Sequence, residues 1–273
     1  MSAVQQTLTF PAIVTALRAA GCVFAEDEAE LLLATARTPD ELFTMLNRRT
    51  AGLPLEQVLG WAEFCGLRIA VDPGVFAPRR RTEVLVTKAA ELVGARPHAV
   101  VVDLCCGTGA VGAALQAILN QPEVHAADID PTEVRCARRN LPDPDRVYLG
   151  DLFEPLPATL AGHVDLLVVN APYVPTEQIA LLPPEARLYE PQVALDGGED
   201  GLAVQRRVAE AAAHWLAPTG HLLIETSERQ APHTVEAFAR SGLNPQVLTD
   251  DELDATIVIG TIVVGTRQPS RRA

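Results

Sequence analysis

From about residue 98 onward, short apolar runs alternate with longer stretches of helical period. Val100, Val101 and Val102 stand together without polar alternation, followed by Asp103, Leu104, a glycine-containing loop and an Ala- and Leu-rich run over 110–119. A strand that is apolar on both faces belongs inside a parallel sheet covered by helices on each side. The same rhythm predicts strands at 124–128, 147–150 and 165–169, and a helix over 131–140 opened by Asp130-Pro131. Beyond these it predicts helices near 200–216 and 230–241, a strand at 221–225, and two last strands at 246–248 and 256–264. The connection between the last two is too short for a crossover, so they should pair antiparallel. The expected fold class is therefore α/β: a Rossmann-like parallel sheet with an antiparallel last strand.

Residues 1–52 lack this alternation and fit a small helical domain. Thr9 and Pro11 precede Ile13, Val14 and Leu17 as a helix start, with Gly21 as a stop. A second helix runs from the acidic stretch 26–30 into Leu31, Leu32 and Leu33. A third opens on Thr38-Pro39-Asp40-Glu41, a capping box with proline at the first helical position. Residues 53–60 fit a short helical turn, and 61–71 fit a hairpin around Gly66. Thr82 is expected to cap a helix running toward Gly94. The division this suggests is a helical substrate-docking domain over 1–52, a linker with a β-hairpin over 53–75, and an α/β domain over 76–273.

Composition narrows the class. In 273 residues, 48% of them apolar, charged residues or prolines interrupt every apolar run well before the ~18 residues of a membrane span. The first ten residues lack a signal-like pattern, which points to a cytoplasmic protein. A net charge of −13 argues against general nucleic-acid binding. The five cysteines contain no C-x-x-C pair and the six histidines no metal-ligand spacing, so neither a disulfide framework nor a metal site is expected. The densest basic cluster, Arg79-Arg80-Arg81, fits either a solvated turn or a substrate or cofactor contact.

The candidate chemistry gathers at strand ends. Gly107 and Gly109 let the backbone approach a ligand closely, and the start of the following helix favours a polar or anionic group. The pattern Gly107-x-Gly109-x-x-Gly112 is shared by folds that bind NAD, FAD and S-adenosylmethionine; the antiparallel ending favours the last. Asp128 closes the second strand, where a carboxylate accepts ribose hydroxyls, and the alternative role of helix cap suits Asp130 better. Asp103 fits a contact to an ammonium or to the loop backbone, or a simple turn. Asp151, followed by Leu152, fits an adenine contact with apolar cover, or ordinary loop packing. The fourth strand runs into Asn170-Ala171-Pro172-Tyr173. Amide and ring-attached nitrogens are poor nucleophiles that need positioning more than a strong base. An Asn oxygen and a carbonyl in a proline-stiffened turn can accept both N–H bonds of such a group, while Tyr173 packs on its plane.

On these residues the chain resembles the HemK/PrmC family of protein-(glutamine-N(5)) methyltransferases, which methylate a glutamine amide of peptide-chain release factors. The family's Asn-Pro-Pro-Tyr box is similar to Asn170-Ala171-Pro172-Tyr173, and its cofactor motif to Asp103 through Gly109. Leu59-Gly60 with Glu63 to Leu67, Pro78-Arg79 with Thr82-Glu83, Asp151-Leu152-Phe153 and the segment Glu190 to Leu202 are also family-like. The resemblance implies S-adenosylmethionine as donor, S-adenosylhomocysteine as product and no metal. It implies cofactor contacts from Asp103, Cys105, Cys106, Gly107, Thr108, Gly109, Asp128, Ile129, Asp151, Leu152 and Asn170. It assigns catalysis to Asn170, Ala171, Pro172 and Tyr173, with Glu190 and Pro191 joining them around a protein substrate that carries a glutamine. Ala171 replaces the first proline of the box, Cys105 stands where a glycine is usual, and Arg80-Arg81 replace Pro-Glu or Pro-Asp. The helical domain is also shorter, and Glu252 to Thr256 lack an expected arginine. These departures resemble an actinobacterial-type paralogue branch. Two other readings remain open from the residues: a nucleic-acid or small-molecule amine methyltransferase, and a non-catalytic cofactor-binding protein.

Overall fold

The structure, a computed structural model, describes residues 8–262. Residues 1–7, and Val263 and Val264 at the expected end of the last strand, lie outside the described residues. Four helices come first: α1 (Phe10–Ala19), α2 (Ala25–Thr35), α3 (Pro39–Thr50) and α4 (Leu55–Leu59). They bury an apolar cluster of their own, including Ile13, Leu17, Leu32, Met45 and Val58. Half of the capping box forms, the Glu41 N–H donating to Thr38 Oγ1 at 3.2 Å, while the Glu41 carboxylate reaches one residue past the cap and accepts the Arg37 N–H at 2.8 Å. Thr9 occupies the cap position of α1 without a side-chain capping bond.

The hairpin pairs β1 (Trp61–Phe64) with β2 (Leu67–Ala70), antiparallel. Its two turn residues, Cys65 and Gly66, have φ of 49° and 72°, the left-handed pair that a two-residue hairpin turn requires. A 3-10 turn, Arg80–Thr82, then leads into α5 (Glu83–Val93). Thr82 is not the side-chain cap that the sequence predicts. It makes no capping bond, because the preceding 3-10 turn already holds its backbone in the right-handed helical region, whereas a capping residue needs an extended one. Its side chain is buried and turned toward the interior.

The main unit comprises β3 (Val100–Leu104), α6 (Ala110–Ile118), β4 (Glu123–Asp128), α7 (Pro131–Asn140), β5 (Val147–Leu149) and β6 (Val164–Val169). It continues through α8 (Pro184–Tyr189), α9 (Gln192–Leu195), α10 (Ala203–Trp215), β7 (Leu216–Thr226), α11 (Ala231–Arg240), β8 (Leu243–Asp250) and β9 (Ala255–Ile262). The strand order is β5-β4-β3-β6-β7-β9-β8. The first five strands are parallel, and β9 lies antiparallel between β7 and β8, as the short final connection required. Alternate residues serve opposite faces. Val101 and Leu166 pack with Leu85, Leu115 and Ala137 on one side, and Val102 and Leu167 with Val208, Ala212 and Phe238 on the other. Pro245 is tolerated because β8 is an edge strand. Among the described residues, no helix is long and apolar enough to cross a membrane.

β7 starts five residues before the expected 221, concealed by Pro218 and Gly220. A Cβ on Gly220 would lie 2.4 Å from the Val164 carbonyl oxygen, so the glycine marks a close approach of two strands, where the register also shifts. β3 has β4 on one side and β6 on the other, so successive crossovers leave it in opposite directions. Ligands of open α/β sheets bind outside the strand ends at this switch point.

Candidate active site

A cavity of about 690 Å³ opens at that switch point, within the range of small-molecule sites. The loop after β3 shapes its floor. Cys105, Gly107 and Gly109 take φ of 55°, 53° and 74°, so alternate residues are left-handed and the backbone doubles back. This explains why glycine is usual where Cys105 stands: an L-residue in this region costs about 1–2 kcal/mol. Gly109 sits at the start of α6, and a Cβ there would come within 3.1 Å of Ala137 Cβ. Gly112 is equally confined, with Asp103 Oδ2 and Val124 Cγ1 each 3.2 Å from a Cβ added there. Gly109 thus seats the start of α6 against α7 and Gly112 seats α6 against the sheet, whereas Gly107 borders the cavity.

Three carboxyls surround the loop. Asp103 is buried and accepts the N–H of Gly112, in the first turn of α6 rather than in the loop, at 2.8 Å, tying α6 to β3. Burial pushes its carboxyl up to about 7, against the pull of that N–H. Asp128 accepts the Gly107 N–H through Oδ2 and the Asp130 N–H through Oδ1, both at 2.9 Å. Each oxygen keeps acceptor capacity toward the cavity it borders. Burial raises Asp128 as well, opposed by those N–H donors. Asp130 is the cap of α7, accepting the Thr132 N–H at 2.6 Å. The third carboxyl, Glu133, escaped sequence reasoning: an acid in the first turn of a helix carries no signal of a site. Cys105 and Cys106 stay neutral thiols, raised well above their ordinary range by burial and then by these acids.

The wall beyond β4 carries Ile129, Asp151 and Leu152. Asp151 accepts a bond from Arg207 of α10 at 2.7 Å, so this carboxylate meets the cavity already paired. Opposite it, Asn170, Ala171, Pro172 and Tyr173 leave the end of β6 along the same cavity. Asn170 Nδ2 donates to Thr82 Oγ1 at 3.3 Å, which turns Oδ1 away from Thr82 as a free acceptor. Behind Thr82 lies Glu225 at the end of β7, 2% exposed and raised by burial, with the Thr82 hydroxyl and Arg81 opposing the rise. Arg81 Nε stands 3.3 Å from Glu225 Oε1, and its Nη2 donates to the Tyr173 hydroxyl. Burial keeps that phenol neutral.

The segment after α8 clamps this turn. The Val174 N–H donates to the Leu195 carbonyl at 3.0 Å, and the Gly197 N–H to the Val174 carbonyl at 2.9 Å. Gln230 Nε2 donates to the Tyr173 carbonyl at 2.9 Å. Gly201 makes this possible: a Cβ there would lie 2.3 Å from both partners. The backbone is thus held from outside at Tyr173 and Val174, two and three residues after Ala171. Glu190 faces the cavity, buried and paired with Arg79. Arg79 and Arg81 reach the cavity wall; Arg80, Gly109 and Pro191 do not. Pro191 instead precedes α9 as its cap residue. Thr82, Glu133, Arg207 and Glu225 are functional-site neighbours that the sequence pattern missed, and only Thr82 carried a signal, in its family-like pairing with Glu83.

Comparison with known proteins agrees with this architecture. A family described as "Methyltransferase small domain" matches residues 66–182. A methyltransferase structure from Pyrococcus furiosus aligns with a TM-score of 0.53 at 16% identity, over 72% of this chain and 90% of that one. Sheet order, glycine loop and strand-end acid together define the fold of S-adenosylmethionine-dependent methyltransferases. The chain is 40% identical to the release factor glutamine methyltransferase of Geobacter sulfurreducens over 211 residues, 75% of this chain and 72% of that protein. With the release factor glutamine methyltransferase of Bifidobacterium longum it shares 34% over 261 residues, 82% of this chain and 88% of the relative. The chain belongs to the release factor glutamine methyltransferase family, and is an S-adenosylmethionine-dependent N-methyltransferase.

Proposed function

We propose that this enzyme methylates the side-chain amide nitrogen of a glutamine in a peptide-chain release factor, in the cytoplasm, with residues 1–52 docking the protein substrate. One observation carries the reading: the Asn170 turn and the Gly107 loop border a single cavity, so an amide acceptor and a methyl donor fit within reach of each other. The residues suit S-adenosylmethionine. The glycine loop leaves room for it, Asp128 keeps acceptor capacity for ribose hydroxyls, and a buried Glu133 oxygen beside Gly107 has no hydrogen-bond partner. When bound, this donor supplies an electrophilic methyl group.

The chain's own task is to make a poor nucleophile effective. Asn170 Oδ1, with the carbonyl of Ala171 or Pro172, accepts the two N–H bonds of the glutamine amide and fixes its plane. Tyr173 packs beside that plane, and Arg81 holds its hydroxyl. Positive charge that develops on the nitrogen is stabilised by those same oxygens. The extra proton is strongly acidic once the nitrogen is alkylated, so no dedicated base is needed. Glu190 lines the substrate side of the cavity, with Arg79 as its partner. The test is incubation with radiolabelled S-adenosylmethionine and release factors alongside total cell protein, followed by mass spectrometry. The reading expects label on a release-factor glutamine and at least a ~100-fold loss for Asn170→Ala, the scale at which loss of a positioning hydrogen-bond partner is felt. Label on other proteins with none on a release-factor glutamine, or label only on nucleic acid in a parallel incubation with total cell RNA and DNA, would refute it.

A further inference from the structure

Glu133 takes no part in the chemistry above, yet its burial demands a reason. It lies in the first turn of α7 with 1% of its surface exposed. Oε1 accepts the Phe76 N–H at 2.7 Å; Oε2 is buried without a partner. An unpaired buried carboxyl oxygen is costly, so native proteins rarely keep one idle. Oε2 is 3.6 Å from where a Cβ on Gly107 would stand, and the residue borders the cavity. The charges that act on it are those of Asp128, Asp130 and Glu190, all acids, and Asp103 lies across the loop. The neighbouring cations are already engaged, Arg79 by Glu190 and Arg139 by Asp72.

We propose that Glu133 is the counter-charge for the ammonium group at the methionine end of the donor, which the Gly107 turn brings beside it. This rests on the S-adenosylmethionine reading above. An ammonium offers donors and positive charge to a carboxyl oxygen that has no partner and is surrounded by other acids. Burial pushes Glu133 up to about 8, so near neutral pH it is largely protonated until a cation arrives. Affinity for an ammonium-bearing ligand therefore rises with pH as Glu133 ionises. Asp103, at about 7, adds the same sign lower on the scale.

The test is calorimetric binding of S-adenosylhomocysteine and of 5′-S-(3-carboxypropyl)-5′-thioadenosine, which lacks only the ammonium. Glu133→Gln keeps an oxygen for the Phe76 N–H and removes the charge. It should weaken S-adenosylhomocysteine by about tenfold or more, the range of a charge-assisted hydrogen bond, and leave the deaminated analogue within about twofold. For the wild type, affinity for S-adenosylhomocysteine should climb between about pH 6.5 and about 8.5, and that for the analogue should not. Equal losses for both ligands, no loss for either, or a wild-type pH profile common to both would overturn the assignment; the profile decides the matter if the variant does not fold. Failure of either ligand to bind the wild type would instead remove the cofactor reading, and this inference with it.

Discussion

Thr82 shows how one hydroxyl sets the orientation of a site. By accepting from Asn170 Nδ2 it fixes which end of that amide meets the cavity, while its own proton lies beside the buried Glu225. Thr82→Val keeps the shape and removes both functions. Turnover should fall about tenfold, the worth of ~1.4 kcal/mol, with the donor's binding constant little changed and activity restored by Thr82→Ser. An unchanged rate in steady-state assays would contradict this role. Cys105 illustrates the opposite case, a departure from the usual residue that the backbone tolerates at a cost. Relieving its positive φ by Cys105→Gly should raise stability in chemical denaturation by up to about 1 kcal/mol, because the glycine's larger unfolded-state entropy offsets part of the relief. A decrease would mean that the thiol's packing outweighs the strain. The Asn170 turn and the Gly107 loop were readable as motifs because backbone demands restrict their residue types. Glu133, Arg207 and Glu225 were not, since each is a lone polar residue within or beside a regular element and gains meaning only from what the fold brings to it; Thr82 was legible as part of a family-like pair, but its bond to Asn170 was not.

At the scale of elements, the helices that precede the sheet bear on the site through α8. Gln57 Nε2 donates to the carbonyls of Val75 at 3.0 Å and Tyr189 at 3.1 Å, and the Tyr189 hydroxyl donates to the Ala51 carbonyl at 3.2 Å. Arg49 joins α2, α3 and α8, 2.7 Å from Glu28 and 3.2 Å from Glu185. Tyr189 directly precedes Glu190, so these bonds set where the Glu190 segment crosses the cavity. Arg49→Met leaves Glu28 buried without its partner, and urea unfolding should show a loss of about 3 kcal/mol, partly recovered in the double variant with Glu28→Gln. A loss below about 0.5 kcal/mol would place the pair among ordinary surface ion pairs. Elements with strong period, such as α7 and β6, were legible nearly to the residue. The 3-10 turn Thr176–Leu181, α8 and α9 were not, because pieces of four to six residues are too short to display a period and are held by contacts remote in sequence.

Across the whole molecule, the sheet joins two segments that sequence separates: the proposed donor cradle after β3 and the proposed acceptor turn after β6. These strands are neighbours with Leu104 opposite Val169, so the two loops emerge side by side at the switch point. Fold class was legible from the strand and helix rhythm and from the short final connection, since both depend on local pattern and chain length. The strand order was not, because β6 inserting beside β3 depends on crossovers whose routes the pattern does not encode. The central claim is that Asn170 presents a glutamine amide to the donor held over Gly107. The direct measurement is a crystal structure of the protein with S-adenosylhomocysteine and a glutamine-bearing release-factor peptide. The account predicts the glutamine nitrogen about 3 Å from Asn170 Oδ1, with its face turned to the sulfur. An Asn170 side chain directed away from the sulfur, with no room between them for an amide, would contradict it.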